Sequence, residues 1–243
     1  MGTRRSKAIT LVCLMIGCFD LRLCGQVHRF VTMEDDSDWW SYLRSGNEDK
    51  VAGVQKREFA ATTLQIAGLD LNADSLAESI TRLGDTTVVK RGDASTGREQ
   101  VCYVSADTRA RTYLIFERGE VASSFYLFSD GPTWNGSTLC TPSEKLSRGI
   151  ATGSGLRLGE DPKQVIEILG QPNECRRDEL LYYFESKRKT APDALLRARK
   201  QHPELTDKQF HDDYDTYDFT ALISAKFRHS QMSYLAVVTR STD

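Results

Sequence analysis

The sequence predicts an α+β protein with two tandem repeats, each a short helix packed on an antiparallel sheet of three to four strands. A stretch with helical spacing of apolar residues occurs once in each half of the chain, and each stretch ends at a glycine. Beyond each glycine the apolar residues alternate as they do in strands. Since a helix of this size must bury its apolar stripe, a sheet with an apolar face is the expected partner.

Residues 1–18 have the pattern of an export signal. Arg4, Arg5 and Lys7 precede an apolar run over residues 8–17, which gives the charged and hydrophobic regions of such a signal. The run is shorter than the roughly 20 apolar residues that a transmembrane helix needs. We therefore expect an exported protein.

Two processing routes remain open at the end of this signal. Residues 14–18, Leu-Met-Ile-Gly-Cys, resemble a bacterial lipobox, in which the cysteine becomes lipidated after cleavage. Met15 replaces the usual leucine, and simple cleavage is the alternative. The expected location is the periplasm or, through lipidated Cys18, a bacterial envelope membrane, with secretion as a further alternative.

Residues 19–58 form a polar, acidic segment that contains one aromatic cluster. A short helix that begins near Ser37 or Asp38 is expected there. Its aromatic residues within 39–43 lie at helical spacing, which more often indicates a segment docked on a core than a ligand site.

The first repeat is expected to span residues 59–129. Asp74 can cap its helix by accepting a backbone N–H, and Gly84 can end it in a left-handed conformation. Between these two residues, Leu76, Ile80 and their apolar neighbour at 83 form one stripe.

The second repeat is expected to span residues 155–243 and has the same design. Asp161 can cap its helix, and Pro162 occupies the first helical position, where a missing N–H costs nothing. The helix is expected to end at Gly170.

Strand-like alternation follows each helix, with hairpin turns near residues 118–120 and 229–231. In 219–227 the alternation is almost complete, which predicts one buried face. The expected strands are 86–90, 101–105, 112–117 and 121–129 in the first repeat and 180–186, 219–228 and 233–240 in the second.

Two segments fall outside the repeated pattern. Residues 130–154 are rich in Gly, Ser, Thr and Pro and are expected to be a linker. Residues 187–217 are an insertion in the second repeat, with charged helices expected over 192–201 and 206–214. A solvated lid or a decoration on a sheet edge is the expected role of this insertion.

The second helix also carries a family resemblance. The segment from 155–159, Gly-Leu-Arg-Leu-Gly, through Val165, Leu169-Gly170 and Pro172 resembles the helix motif of the SmpA/OmlA family of outer-membrane assembly lipoproteins. Its doubling is similar to the tandem architecture of the β-lactamase inhibitory proteins, which bind an enzyme with the concave face of paired sheets. The resemblance implies a bacterial envelope or secreted protein that contacts other proteins. The insertion departs from the simplest members, so no specific partner and no binding residues are implied.

Export changes how the cysteines are interpreted, because thiols in an oxidising compartment tend to pair. Cys102 and Cys140 flank the strands of the first repeat and are the expected disulfide; two buried free thiols are the alternative. Cys175 is left over, and it could pair with Cys140 instead or with Cys24 if that residue survives processing.

The motifs tested for chemistry do not match their templates. Residues 152–156 lack the outer glycines of the G-x-S-x-G nucleophile motif. Residues 70–74 begin like a calcium loop, but Ser75 replaces the turn glycine and Thr81 the bidentate glutamate. No enzyme activity, cofactor or metal site is therefore predicted.

Aromatic side chains on the expected strands are candidates for a protein-binding face. They are Tyr113, Tyr126 and residues 182–184, Tyr-Tyr-Phe. Because successive strand residues face opposite ways, Tyr183 must point away from its two neighbours. One of these two sets is expected in the core, and the sequence leaves open which.

The charge balance excludes one class of function. The formal net charge is −2, and loss of the basic leader makes it more negative, which argues against a protein that binds nucleic-acid backbones. We expect an exported, non-catalytic protein-binding or envelope-assembly module whose partner is another envelope or secreted protein. The alternative is a cation-dependent protein or hydrolase centred on the His- and Asp-rich residues 202–218, with His202, His211 and Asp213.

Overall fold

One large, mainly antiparallel β-sheet organises the described chain. A computed structural model describes residues 60–91, 97–107, 111–119, 122–129 and 140–242, and its class is α+β, as predicted. A short 3-10 helix covers Ala61–Leu64. The α-helices are α1 (Leu76–Leu83), α2 (Pro162–Leu169), α3 (Pro192–Gln201) and α4 (Asp207–Tyr214), and the strands are β1 (Gln65–Ile66), β2 (Leu69–Asp70), β3 (Val89–Arg91), β4 (Arg98–Ser105), β5 (Thr112–Gly119), β6 (Ala122–Ser129), β7 (Thr141–Ser143), β8 (Glu174–Arg176), β9 (Glu179–Lys189), β10 (Thr216–Arg228) and β11 (Gln231–Thr242).

Several predictions concern residues outside the described ranges. These are the export signal over 1–18, the lipidation site Cys18, the short helix within 19–58, and any pairing by Cys24. None of the described helices has the length and apolar character that crossing a membrane requires.

The strands of both halves join in a single sheet. Its order is β3-β4-β5-β6-β11-β10-β9-β8, and β7 pairs in parallel with β4 beside β3. The last strands of the two halves pair antiparallel, with residues 122–128 of β6 against 234–240 of β11. The sequence predicts a separate sheet in each repeat, whereas the structure shows one continuous sheet. This arrangement satisfies backbone groups of β6 and β11 that two separate sheets would leave at open edges.

Short, charged strands occupy both edges of the sheet. Lys90 on β3 lies 2.5 Å from a Glu99 carboxylate oxygen, and Arg176 on β8 lies 2.8 Å from Glu174. Such strands give little template for pairing with another chain. The sheet edges are therefore poor candidates for a partner strand.

The main core lies on the face of the sheet that packs against α1 and α2, here called the helix face. Leu76 and Leu83 of α1 and Val165 and Leu169 of α2 join one buried cluster with the sheet. The sheet residues of this cluster include Tyr103, Leu114, Phe116, Phe125, Leu127, Leu180, Tyr182, Phe184, Phe219, Ala221, Ile223, Leu235 and Val237.

The opposite face of the sheet is also buried. Leu222 is 3% exposed and Ser224 is 9% exposed, so β10 is buried on both faces and the prediction of one buried face was wrong. The physical reason lies in the neighbours: β10 runs between β9 and β11, and on this face Leu222 is flanked across the two ladders by Tyr183 and Val238. A second buried cluster on this face contains Cys102, Val104, Tyr113, Ile115, Tyr126, Phe128, Cys140, Tyr234 and Ala236.

The N-terminus of α1 is capped one residue later than predicted. Ser75 is the N-cap: its side chain accepts from the Glu78 N–H, and the Glu78 carboxylate accepts from the Ser75 N–H in return. Asp74, the predicted cap, instead accepts from the Asp70 N–H at 2.8 Å. The paired Ser and Glu form a capping box that satisfies two helix N–H groups at once, which a lone Asp74 could not do.

The N-terminus of α2 agrees with the prediction. Asp161 accepts from the N–H groups of Lys163 and Gln164, at 2.8 and 3.0 Å. Replacing Asp161 with alanine leaves these donors without their cap, so we expect the free energy of unfolding to fall by about 1 kcal/mol. Urea denaturation of Asp161→Ala beside wild type measures this, and Asp161→Asn, which keeps the acceptor, should recover most of the loss.

Part of the predicted linker 130–154 belongs to the fold. Strand β7 lies within it, and Ser143 donates to the Leu83 carbonyl at the end of α1, at 2.6 Å. Tyr103 donates to the next carbonyl, that of Gly84, at 3.0 Å, and burial raises the pKa of this phenol to about 12. These two hydroxyl groups fix the end of α1 to the sheet. They donate to carbonyl oxygens at the end of the helix, which have no N–H donor within the helix.

Candidate functional site: the helical insertion

The insertion 187–217 begins and ends on paired strands. β9 and β10 remain in register as far as Lys189 and Thr216, and α3 and α4 lie between these two residues. Both helices occur where the sequence predicted them, with Thr206 as the N-cap of α4 rather than its first residue. The insertion is therefore a helical hairpin carried on the end of a β-ribbon.

Arg199 holds the two helices of this hairpin together. Its guanidinium donates to the Leu205 carbonyl at 2.8 Å and lies 2.5 Å from an Asp207 carboxylate oxygen. It also lies 5.0 Å from the centre of the Phe210 ring, and Phe210 is 6% exposed. Charge-assisted hydrogen bonds and a cation–π contact at one side chain give the hairpin a defined shape.

Arg188 contacts the base of the hairpin. Its guanidinium carbon lies 3.4 Å from the centre of the Phe219 ring, and Phe219 belongs to the main core. This contact connects the start of the insertion to the helix face of the sheet.

Helix α3 presents an open surface. It has no buried residue, and its Leu196 side chain is 65% exposed. Most other large apolar side chains in the described part of the chain are buried or half-buried. The Asp193–Arg197 ion pair at 2.7 Å flanks it, but exposed pairs of this kind contribute little stability. Since α3 gives the fold few buried contacts, its sequence is available for a role outside the fold.

The histidines of the insertion make local contacts. His202 lies 3.3 Å from a Glu204 oxygen and stacks on Tyr214, with ring centres 5.3 Å apart. His211 lies 2.7 Å from Asp215. Among the described residues, no three His, Cys, Asp or Glu side chains are placed to hold one metal ion. His202, His211 and Asp213 therefore do not form part of such a group.

The contact between His211 and Asp215 predicts a pH effect. The hydrogen bond from the ring to Asp215, and then the charge of that carboxylate, raise the pKa of His211 above its ordinary value near 6.5. The associated stabilisation is therefore present below about pH 6.5 and is lost as the pH rises through the higher folded-state pKa. An NMR titration of the ring should show the raised pKa in wild type and a lower one in Asp215→Asn; an unchanged pKa in this variant would contradict the assignment.

The acidic sequence at 70–74 forms a turn. The Asp70 carboxylate accepts from the Asn72 N–H at 2.9 Å, and the Asp74 carboxylate accepts from the Asp70 N–H. Both carboxylates are thus engaged with the backbone, as in an Asx turn.

Cys102 and Cys140 lie at disulfide distance, with their Cα atoms 4.6 Å apart. Because Cys140 is paired with Cys102, the alternative pairing of Cys175 with Cys140 was wrong. Cys175 is exposed on the edge strand β8 and is not in a disulfide within the described residues.

The aromatic residues considered for a binding face are buried. Tyr182 and Phe184 lie in the main core, which answers the question left open by the sequence, and Tyr183 on the opposite face is 6% exposed. Tyr113 and Tyr126 lie in the second buried cluster. These side chains therefore do not form an open contact surface.

Sequence reasoning did not single out Leu196. The usable signal is the charged sequence around it, because a leucine on a helix without an apolar stripe has no evident place in a core.

No protein-family model, curated protein or solved structure gives a significant match to the chain. The resemblance to the SmpA/OmlA family and to the β-lactamase inhibitory proteins therefore stays a prediction.

Proposed function

We propose that the chain is an exported, non-catalytic protein-binding or envelope-assembly module, and that the helical hairpin of α3 and α4 is its contact surface. The observation that carries this proposal is Leu196, an apolar side chain that is 65% exposed on a helix with no buried residue. The hairpin is ordered by Arg199 and Phe210, so the leucine is presented on a preformed surface. A preformed surface loses less conformational entropy on binding than a flexible one.

The burial of both sheet faces supports this choice of surface. Tyr183 and Leu222 on the opposite face are 6% and 3% exposed, and the helix face is covered by α1 and α2. A partner that docked on either face would therefore meet few accessible side chains. The hairpin offers an accessible side chain without displacement of packed residues.

The proposal includes a tandem origin for the fold. In each half, a helix is followed by a short strand and three longer strands: α1 with β3 to β6, and α2 with β8 to β11. The order of the sheet is symmetric about the β6–β11 pair. Under this proposal, the hairpin is an addition to one of two related units.

The proposed location is the periplasm or an envelope membrane reached through lipidated Cys18, with secretion as the alternative. The support is the leader over residues 1–18. The Cys102–Cys140 pair agrees with an oxidising compartment. Mass spectrometry of the mature N-terminus distinguishes a diacylated Cys18, simple cleavage and no cleavage; the last result would contradict export.

Affinity purification from envelope fractions tests the binding role. Wild type should recover a reproducible partner, and Leu196→Glu should lose it, because a charge at the centre of an apolar contact must be desolvated. Lys163→Glu, an exposed change on α2, is the matched control and should retain the partner.

Two results would count against the proposal. One is repeated recovery of no partner by intact wild-type protein. The other is equal recovery by Leu196→Glu and wild type, which would place the contact elsewhere. Circular dichroism of the variant beside wild type shows that a loss of binding does not come from unfolding.

A further inference from the structure

A polar cavity opens on the helix face where the β5–β6 hairpin meets β10 and β11. Its volume is about 150 Å³. The buried ring of Phe219 forms an apolar part of its wall. The polar side chains around it are those of Asn72, Arg118, Ser123, Tyr217, Thr239 and Ser241.

The sheet register places three of these side chains in one row. Arg118 on β5 pairs with Ser123 on β6, and Ser123 pairs with Thr239 on β11. Directly paired residues point to the same face, so all three belong to the helix face. The neighbouring row toward the core contains Phe116 and Phe125. The cavity thus begins where the apolar core ends.

Among the described residues that line this cavity, Arg118 is the one with a charged side chain. It donates to the carbonyl oxygen of Asp74, and it makes no ion pair within the described ranges. Asp70 and Asp74 share a separate cavity of about 10 Å³ with Arg118, but their carboxylates accept backbone N–H groups there. A guanidinium has five N–H donors, so most of its donors remain for a ligand.

We propose that this cavity binds a small carboxylate anion. One guanidinium matches one carboxylate in charge and in its two-pronged geometry. The hydroxyl groups of Ser123 and Tyr217 and the amide of Asn72 lie around the cavity as further hydrogen-bonding groups.

The size of the ligand follows from the volume. A cavity of about 150 Å³ is comparable to an engineered core cavity of that volume that binds benzene. A short aliphatic acid fits this space, with its carbon chain against Phe219. The inference concerns a different surface from the helical hairpin and does not depend on the proposed function.

NMR titration of the full chain with butyrate tests the inference. We expect saturable shifts of the Asn72 side-chain amide and the Arg118 Nε–H with butyrate, and none with the neutral isostere butyramide. Arg118→Gln should weaken binding about tenfold or more, because it removes a charge-assisted contact. Arg148→Gln, at an exposed arginine outside the cavity, should bind as wild type does.

Arg118 also contacts Asp74, so its replacement can disturb the fold. Ser123→Leu provides a second variant, because Ser123 lies in the same row as Arg118 on the cavity side, and leucine fills the cavity while Arg118 stays in place. This variant should lose binding as well. Absence of saturable shifts, unchanged binding in Ser123→Leu, or tighter binding of inorganic phosphate than of butyrate would each overturn the assignment to a carboxylate.

Discussion

Replacing both Cys102 and Cys140 with serine is expected to lower the free energy of unfolding by about 4 kcal/mol. The two residues are separated by 38 positions, and in the chain-entropy model a cross-link over such a loop stabilises the fold by this amount. The loop contains β5 and β6, which lie in the middle of the sheet. Urea denaturation under oxidising conditions measures the difference.

Cys175→Ser is the matched control for the double variant. Cys175 is exposed, so its replacement should change the free energy of unfolding by less than about 0.5 kcal/mol. Reduction of wild type should reproduce the effect of the double variant. Equal stability of the double variant and wild type would show that the pair does not constrain the chain.

Phe125→Ala is expected to lower the free energy of unfolding by about 3–5 kcal/mol, because it leaves a cavity at the centre of the main core. Phe125 is 0% exposed, and its ring packs edge-on against Phe116 with centres 6.4 Å apart. Phe125 lies on β6 and is paired with Val237 of β11, so it contributes to the contact between the two halves.

Chemical denaturation of Phe125→Ala beside Leu196→Ala measures this effect against a control. Leu196 is 65% exposed, so its truncation should change stability by no more than about 0.5 kcal/mol. A comparable loss in both variants would mean that the hairpin of α3 and α4 is part of the core, and it would contradict its assignment as a projecting surface.

The helices were predictable from the sequence because their signals are local. Asp161, Pro162 and Gly170 mark the start and end of α2, and the structure has this helix over Pro162–Leu169. For α1 two candidate caps, Asp74 and Ser75, are adjacent in the sequence. The choice depends on Glu78, three residues after Ser75, because its carboxylate accepts from the Ser75 N–H and completes the capping box. A one-residue error at such a boundary is therefore expected from sequence alone.

The long strands were also predictable, and the β10–β11 hairpin turns where expected. His229 and Ser230 have φ angles of 51° and 60°, as in a two-residue turn with both central residues in the left-handed region. The short strands β7 and β8 were missed, because three residues are too few to show alternation. Their pairing depends on neighbours distant in sequence, as that of Thr141 with Tyr103 does.

The candidate sites depend on long-range arrangement, and the sequence could place only part of them. It located the insertion 187–217 and its helices by composition. The row formed by Arg118, Ser123 and Thr239 joins three strands through their register, which no local pattern reveals. The exposure of Leu196 likewise depends on the surroundings of α3 in the folded chain, where the helix has no buried residue.

Both halves form one sheet through β6 and β11, and the helical hairpin projects from that sheet. Native-state hydrogen exchange tests this arrangement most directly. We predict that the amides paired between β6 and β11, such as the alternate amides of 235–238 that face β6, exchange as slowly as amides at the centre of β5 and β10, because one cooperative unit opens as a whole. Exchange at the β6–β11 pair that is faster by orders of magnitude than within either half would show two independent sheets and contradict the account.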